Sequence, residues 1–72
     1  MNDEDVTIEY GGKQYTGYRS VTGSRKMYQT IYYGGRSKAD GHPYRPGEET
    51  TMKVLATIIL RELVEEEKRE SG

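Results

Sequence analysis

Seventy-two residues hold one domain at most, and a chain this short buries only about 60% of its unfolded surface, which makes a partner chain a natural source of further burial. No cysteine and a single histidine, His42, exclude disulfides, thiolate zinc sites and histidine-rich metal centres. The formal net charge of -1 hides a segregated pattern: residues 1–9 carry four acids and no base, residues 10–47 carry seven bases against Asp40 alone, and residues 48–72 carry seven glutamates against four bases.

In chain order, residues 1–5 are expected as an acidic, flexible N-terminus and residues 6–70 as a single domain. The start MNDEDV has neither the basic nor the apolar region of a signal peptide. No apolar run approaches the roughly 20 residues of a membrane span. A cytoplasmic protein without membrane contact is the simplest expectation. VTIEY at 6–10 alternates apolar and polar residues as a half-buried strand does. Gly11 and Gly12 accept the positive φ values of a type I′ hairpin turn. KQYTGYRSV at 13–21 reads as the second strand, TGSR at 22–25 as a turn and KMYQTIYY at 26–33 as the third strand. Gly34 and Gly35 stop that strand or turn it again. Residues 36–47, RSKADGHPYRPG, are rich in breakers. A short edge strand fits near residues 36–38, and Pro43 and Pro46 exclude a long one.

TTMKVLATIILRELVEEEKRE at 50–70 reads as a helix. Thr50 or Thr51 can cap it, Glu48 and Glu49 suit its positive end, and Lys68 and Arg69 suit the other. Met52, Leu55, Ala56, Ile59 and Leu63 make one apolar stripe, flanked by Leu60. The β-branched ATIIL run invites a strand, but the charged tail continues the helical period. The expected fold is therefore α+β: a three-stranded antiparallel sheet with room for a short fourth strand, followed by one C-terminal amphipathic helix.

Register decides the faces. A two-residue first turn places Val6, Ile8, Tyr10, Tyr15, Gly17 and Val21 on one face. An odd second loop adds Met27, Ile31 and Tyr33 to it, and an even loop sends them to the other. One helix covers one face, so packing favours the odd loop. Tyr18, Tyr28 and Tyr32 then point away from the helix, with Gln14, Thr16, Ser20, Lys26 and Thr30. Such rings are either a binding surface or ordinary half-exposed strand residues, since tyrosine is a good strand former.

No catalytic residue, cofactor site or metal site is expected. The serines have only His42 as a base, and His42 sits in the stiff DGHPY turn. The glycines match neither a Walker loop nor a dinucleotide fingerprint. Two non-enzymatic classes remain. The first is a small interaction protein, self-associating as a homodimer or binding another protein. It rests on Val54 and Ile58, which lie opposite the core stripe and are the candidate dimer contacts. The second is a nucleic-acid-binding module. Its candidate face combines Tyr18, Tyr28 and Tyr32 for stacking with Arg19, Arg25, Lys26 and Arg36 for phosphate. In outline, GYRSVTGSRKMYQTIYYGGR followed by a helix resembles the small DNA-binding domains of some integrases and plant transcription factors. The resemblance implies a sheet that enters the major groove. The segment lacks the tryptophans and the compact strand-to-helix turn of those domains. The discriminating feature is where the middle cations go: beside the exposed rings, or onto acidic partners.

Overall fold

Two Gly-Gly pairs fold the chain into two hairpins. Gly11 and Gly12 have φ values of 60° and 80°, and Gly34 and Gly35 have 55° and 81°. Both pairs match the left-handed positions of a type I′ turn, whose twist suits flanking strands. The computed structural model describes residues 3–71. Strands β1 (Glu4–Tyr10), β2 (Lys13–Thr22), β3 (Met27–Tyr33) and β4 (Arg36–Tyr44) form an antiparallel meander in the order β1-β2-β3-β4, and helix α1 (Glu49–Ser71) packs on one face. The fold is α+β, and the fourth strand, expected only as a short edge near residues 36–38, is a full strand of nine residues. Among the described residues, no helix is long and apolar enough to cross a membrane.

The fourth strand is long despite Pro43. The β3–β4 register shifts between Gln29, opposite Asp40, and Met27, opposite Tyr44, so Gly41, His42 and Pro43 bulge past Tyr28. A proline in a bulge on an edge strand removes no ladder hydrogen bond. The strand delivers Tyr44, which is fully buried against Val21 and Met52. At the other edge, β1 begins at Glu4, within the segment expected to be flexible. Asp3 also makes contacts: its carboxylate accepts the Val21 N–H at 2.9 Å and the Tyr18 hydroxyl at 3.0 Å. Met1 and Asn2 lie outside the described residues.

The β2–β3 register pairs Thr22 with Tyr28, which leaves an odd number of residues between them. Val6, Val21 and Ile31 therefore face the helix together, with Ile8, Tyr10, Tyr15 and Tyr33 half-buried beside them. From the helix, Met52, Ala56, Leu60, Leu63 and Val64 are buried, while Leu55 and Ile59 are half-buried. The buried stripe is thus rotated toward Leu60 and Val64. The reason is Gly17: a Cβ there would lie 2.7 Å from Leu60 Cδ1, so the missing side chain is the space that Leu60 fills. The helix starts two to three residues earlier than a cap at Thr50 or Thr51 requires. The Glu48 carbonyl accepts the Met52 N–H at 3.0 Å, making Glu48 the capping position. The Glu48 side chain accepts the Arg45 N–H at 2.7 Å, and that of Glu49 accepts the Gly47 N–H at 2.8 Å.

A polar cluster crosses the core near the helix start. Gln29, 1% exposed, donates to Asp40 and to the Met52 carbonyl, both at 2.9 Å, and accepts from Arg19 at 3.4 Å. Asp40 also accepts the Tyr44 hydroxyl and, at 3.0 Å, the His42 N–H. Burial pushes the Asp40 carboxyl upward, but the bonds from Gln29, Tyr44 and the His42 N–H outweigh it and hold the group below its ordinary value. A depressed folded-state pKa adds stability that is present above the unfolded pKa, near 3.8, and is lost as the pH falls through the folded value. Asp40→Asn removes that contribution. The stability advantage of the unsubstituted protein over Asp40→Asn is expected to be full near neutrality and to shrink below a pH of about 4. Thermal melts of the two proteins at a series of acidic pH values check this, and a constant gap across the series would refute it.

Candidate interaction face

The face of the sheet away from the helix is built in rows set by strand register. One row reads Asp5, Tyr18, Tyr32 and Ser37, and the next reads Ser20, Thr30 and Ala39. Thr7 pairs with Thr16 in a third, their hydroxyls 3.0 Å apart, and Thr22 pairs with Tyr28 in a fourth. Tyr18, Tyr28 and Tyr32 are 42%, 44% and 45% exposed. The Tyr18 and Tyr32 rings are tilted neighbours with centroids 6.3 Å apart. The Tyr18 phenol is held above its ordinary value, first by its hydrogen bond to Asp3. Asp3 is held below its own by the Val21 N–H and then by that phenol.

The four candidate cations do not all join the rings. Arg19 points to the helix side and is 3% exposed. Its guanidinium meets Glu4 at 2.7 Å and Gln29 at 3.4 Å, while its Nε has no partner in the described structure. Period-2 geometry explains the displacement, because Arg19 has the parity of Gly17 and Val21, not of Tyr18. Arg36 also lies on the helix side, paired with Glu70 and, at 4.0 Å, with Glu66. The Glu70 partnership raises the Arg36 guanidinium above its ordinary value and lowers Glu70 below its own. Arg25 and Lys26 are exposed in the loop between β2 and β3 and have no ion-pair partner among the described residues. They sit at the Tyr28 end of the sheet. The face thus gathers three rings, two cations at one corner and two acids, Asp3 and Asp5, along the β1 side.

Among the described residues, the helix-tail glutamates make no ion pair with Arg69 along the helix. Glu62 and Glu66 instead reach Lys38 on β4, at 3.3 and 3.1 Å. These bonds, chiefly the one from Glu66, hold the Lys38 ammonium above its ordinary value. Exposed pairs of this kind contribute little to stability, so their main consequence is to occupy the cations. Their signal in the sequence was the i, i+2 spacing of Arg36, Lys38 and Asp40, legible only once residues 36–44 are read as a strand.

Val54 and Ile58, the candidate dimer contacts, lie on the outer side of α1, 53% and 48% exposed. Among the described residues, no group of three or more histidines or carboxylates is placed to hold a metal ion. His42 packs edge-on against Tyr44, with ring centroids 4.8 Å apart. No protein-family model, curated protein or solved structure matches this chain.

Proposed function

We propose that this chain is a non-enzymatic protein-interaction module, homodimeric through the Val54 and Ile58 side of α1, which presents the tyrosine-bearing outer sheet face to protein. The observation that supports this reading most is the disposition of the cations. Arg19, Arg36 and Lys38 are taken up by Glu4, Glu62, Glu66 and Glu70, and the row that holds Tyr18 and Tyr32 runs into Asp5. A phosphate-binding surface requires uncompensated positive charge beside its stacking rings. A protein interface instead favours exposed aromatics within a rim of mixed polarity. The exposed aliphatic pair on the helix adds a second apolar surface to a chain of small core.

Changing Val54 and Ile58 together to serine is expected to weaken self-association at least tenfold while leaving the melting temperature of the monomer nearly unchanged, because neither side chain contributes to the buried stripe. Light scattering over a concentration series measures it. A monomer at high micromolar concentration would remove homodimerisation from the reading.

A nucleic-acid reading keeps one observation in its favour: Arg25 and Lys26 are unpaired and lie at the Tyr28 end of the ringed face. Titration of random single-stranded and duplex oligonucleotides at low and physiological salt separates the two. The protein-interaction reading expects no binding at low salt. Tight binding that weakens with salt and with neutralisation of Arg25 and Lys26 would overturn it.

A further inference from the structure

The two hairpins part company at their tips. β2 and β3 are paired from Tyr18 opposite Tyr32 to Thr22 opposite Tyr28, and residues 13–17 of β2 are paired with β1 alone. On the outer face the seam opens into a hollow of about 570 Å³, whose lining includes Thr16, Tyr18, Tyr32, Gly34, Gly35 and Ser37. The two-residue turn makes Tyr10 and Lys13 a hydrogen-bonded pair, and in an antiparallel ladder such pairs alternate. The backbone N–H and C=O groups of Gln14 and Thr16 therefore face away from β1, toward the side β3 has left. No backbone bond from the Gly34 and Gly35 turn reaches them in the described structure.

Sheets protect edges of this kind with charges, prolines or bulges. The two outer edges of this sheet have them. The outward backbone groups of β1 belong to Asp5, Thr7 and Glu9, two of them charged, and β4 carries the Gly41, His42 and Pro43 bulge. The seam has none. Its β2 side presents Gln14 and Thr16, and its far side is a turn of two glycines, where a Cβ on Gly35 would meet nothing within 4 Å. Beneath it the Tyr15 and Tyr33 rings meet edge-on, with centroids 6.3 Å apart, and close the inner side.

We infer that the seam is a binding site for an extended peptide segment, which adds to residues 13–17 of β2 as a strand. Gln14 and Thr16 supply up to four backbone hydrogen bonds, and the hollow takes the segment's outward side chains beside Tyr18 and Tyr32. The inward side chains must be small, because the Tyr15 and Tyr33 contact lies below them. This inference rests on the reading of the chain as a protein-interaction module and specifies how one partner segment is held.

The test is an NMR titration of the full chain with the capped peptide acetyl-Val-Ala-Thr-Ala-Val-amide at up to millimolar concentration, beside its fully N-methylated counterpart. The unmethylated peptide is expected to slow amide exchange at Gln14 and Thr16 at least tenfold, and the methylated one to have no effect. Thr16→Pro is expected to abolish binding with the fold retained, because the lost N–H faces the seam and not β1. The exchange measurement on the unsubstituted chain decides the matter even where the variant fails to fold. No slowing at Gln14 and Thr16, slowing confined to β1 or β4, or equal binding of the methylated peptide would each overturn the site. Self-association in light scattering alongside a failed titration would leave the protein-interaction reading standing, whereas peptide binding by a strict monomer would remove only homodimerisation.

Discussion

Gly17→Val is expected to destabilise the fold by about 3 kcal/mol, at the upper end of what overpacking a core costs. A domain of this size has a total of roughly 4–11 kcal/mol, so the variant would be largely unfolded in mild denaturant. The reason is geometric. A Cβ at position 17 lies 2.7 Å from Leu60 Cδ1 and 2.7 Å from the Tyr32 carbonyl oxygen. Leu60 is fully buried and cannot swing away without opening the core, and the carbonyl belongs to the neighbouring strand. Even Gly17→Ala meets both atoms. Leu60→Ala alone leaves a cavity and costs about 2–5 kcal/mol. The double substitution Gly17→Ala with Leu60→Ala should cost less than the sum of the two, because the vacated space admits the new methyl. Rescue should remain incomplete, since the contact with the Tyr32 carbonyl persists. Urea midpoints of these four variants and of the unsubstituted protein measure these differences. A loss under about 1 kcal/mol for Gly17→Val would show that the helix does not rest on this strand as described.

Gln29→Leu is expected to cost about 2–3 kcal/mol, although leucine is the more apolar residue. The substitution strips one partner from Arg19 and one from Asp40, and Arg19 is 3% exposed with its Nε already unpartnered. A buried charge that loses a hydrogen-bond partner cannot recover it from water. Arg19→Met combined with Gln29→Leu should be less harmful than Gln29→Leu alone, because the group left unsatisfied is removed with its partner. Glu4 is 43% exposed at its side chain and can hydrate once Arg19 is gone. Denaturant unfolding of the two single variants and the double closes the cycle. A double variant less stable than Gln29→Leu would mean that Arg19 contributes through contacts other than this cluster.

Much of this architecture was legible because it obeys short periods. Alternation in VTIEY and the two Gly-Gly pairs mark hairpins, and the 3.6-residue period carries the helix through ATIIL into its charged tail. One helix covering one sheet face was enough to choose the odd loop, and with it the separation of Tyr33 from Tyr18, Tyr28 and Tyr32. The fourth strand was read short because Pro43 was weighed as a strand breaker. Nothing local announces that it falls in an edge bulge, where its missing N–H is harmless. Tyr44 enters the core on the part of that strand the proline conceals.

The candidate face shows where local rules stop. Composition along the chain establishes that cations and tyrosines share the middle segment, and parity alone already places Arg19 opposite Tyr18. Which cations are compensated is a different kind of question, because it depends on pairs far apart in sequence. Arg36 meets Glu70 and Lys38 meets Glu62 and Glu66 only because β4 lies under the second half of α1. The same holds for the depth of Leu60, set by the glycine on a strand more than forty residues earlier, and for the seam, set by where β3 leaves β2. Strand and helix periods are properties of neighbouring residues, so the sequence by itself determined the elements and the faces they bury. Charge compensation, close approach and open edges are properties of surfaces brought together by folding, and only the tertiary structure decided them.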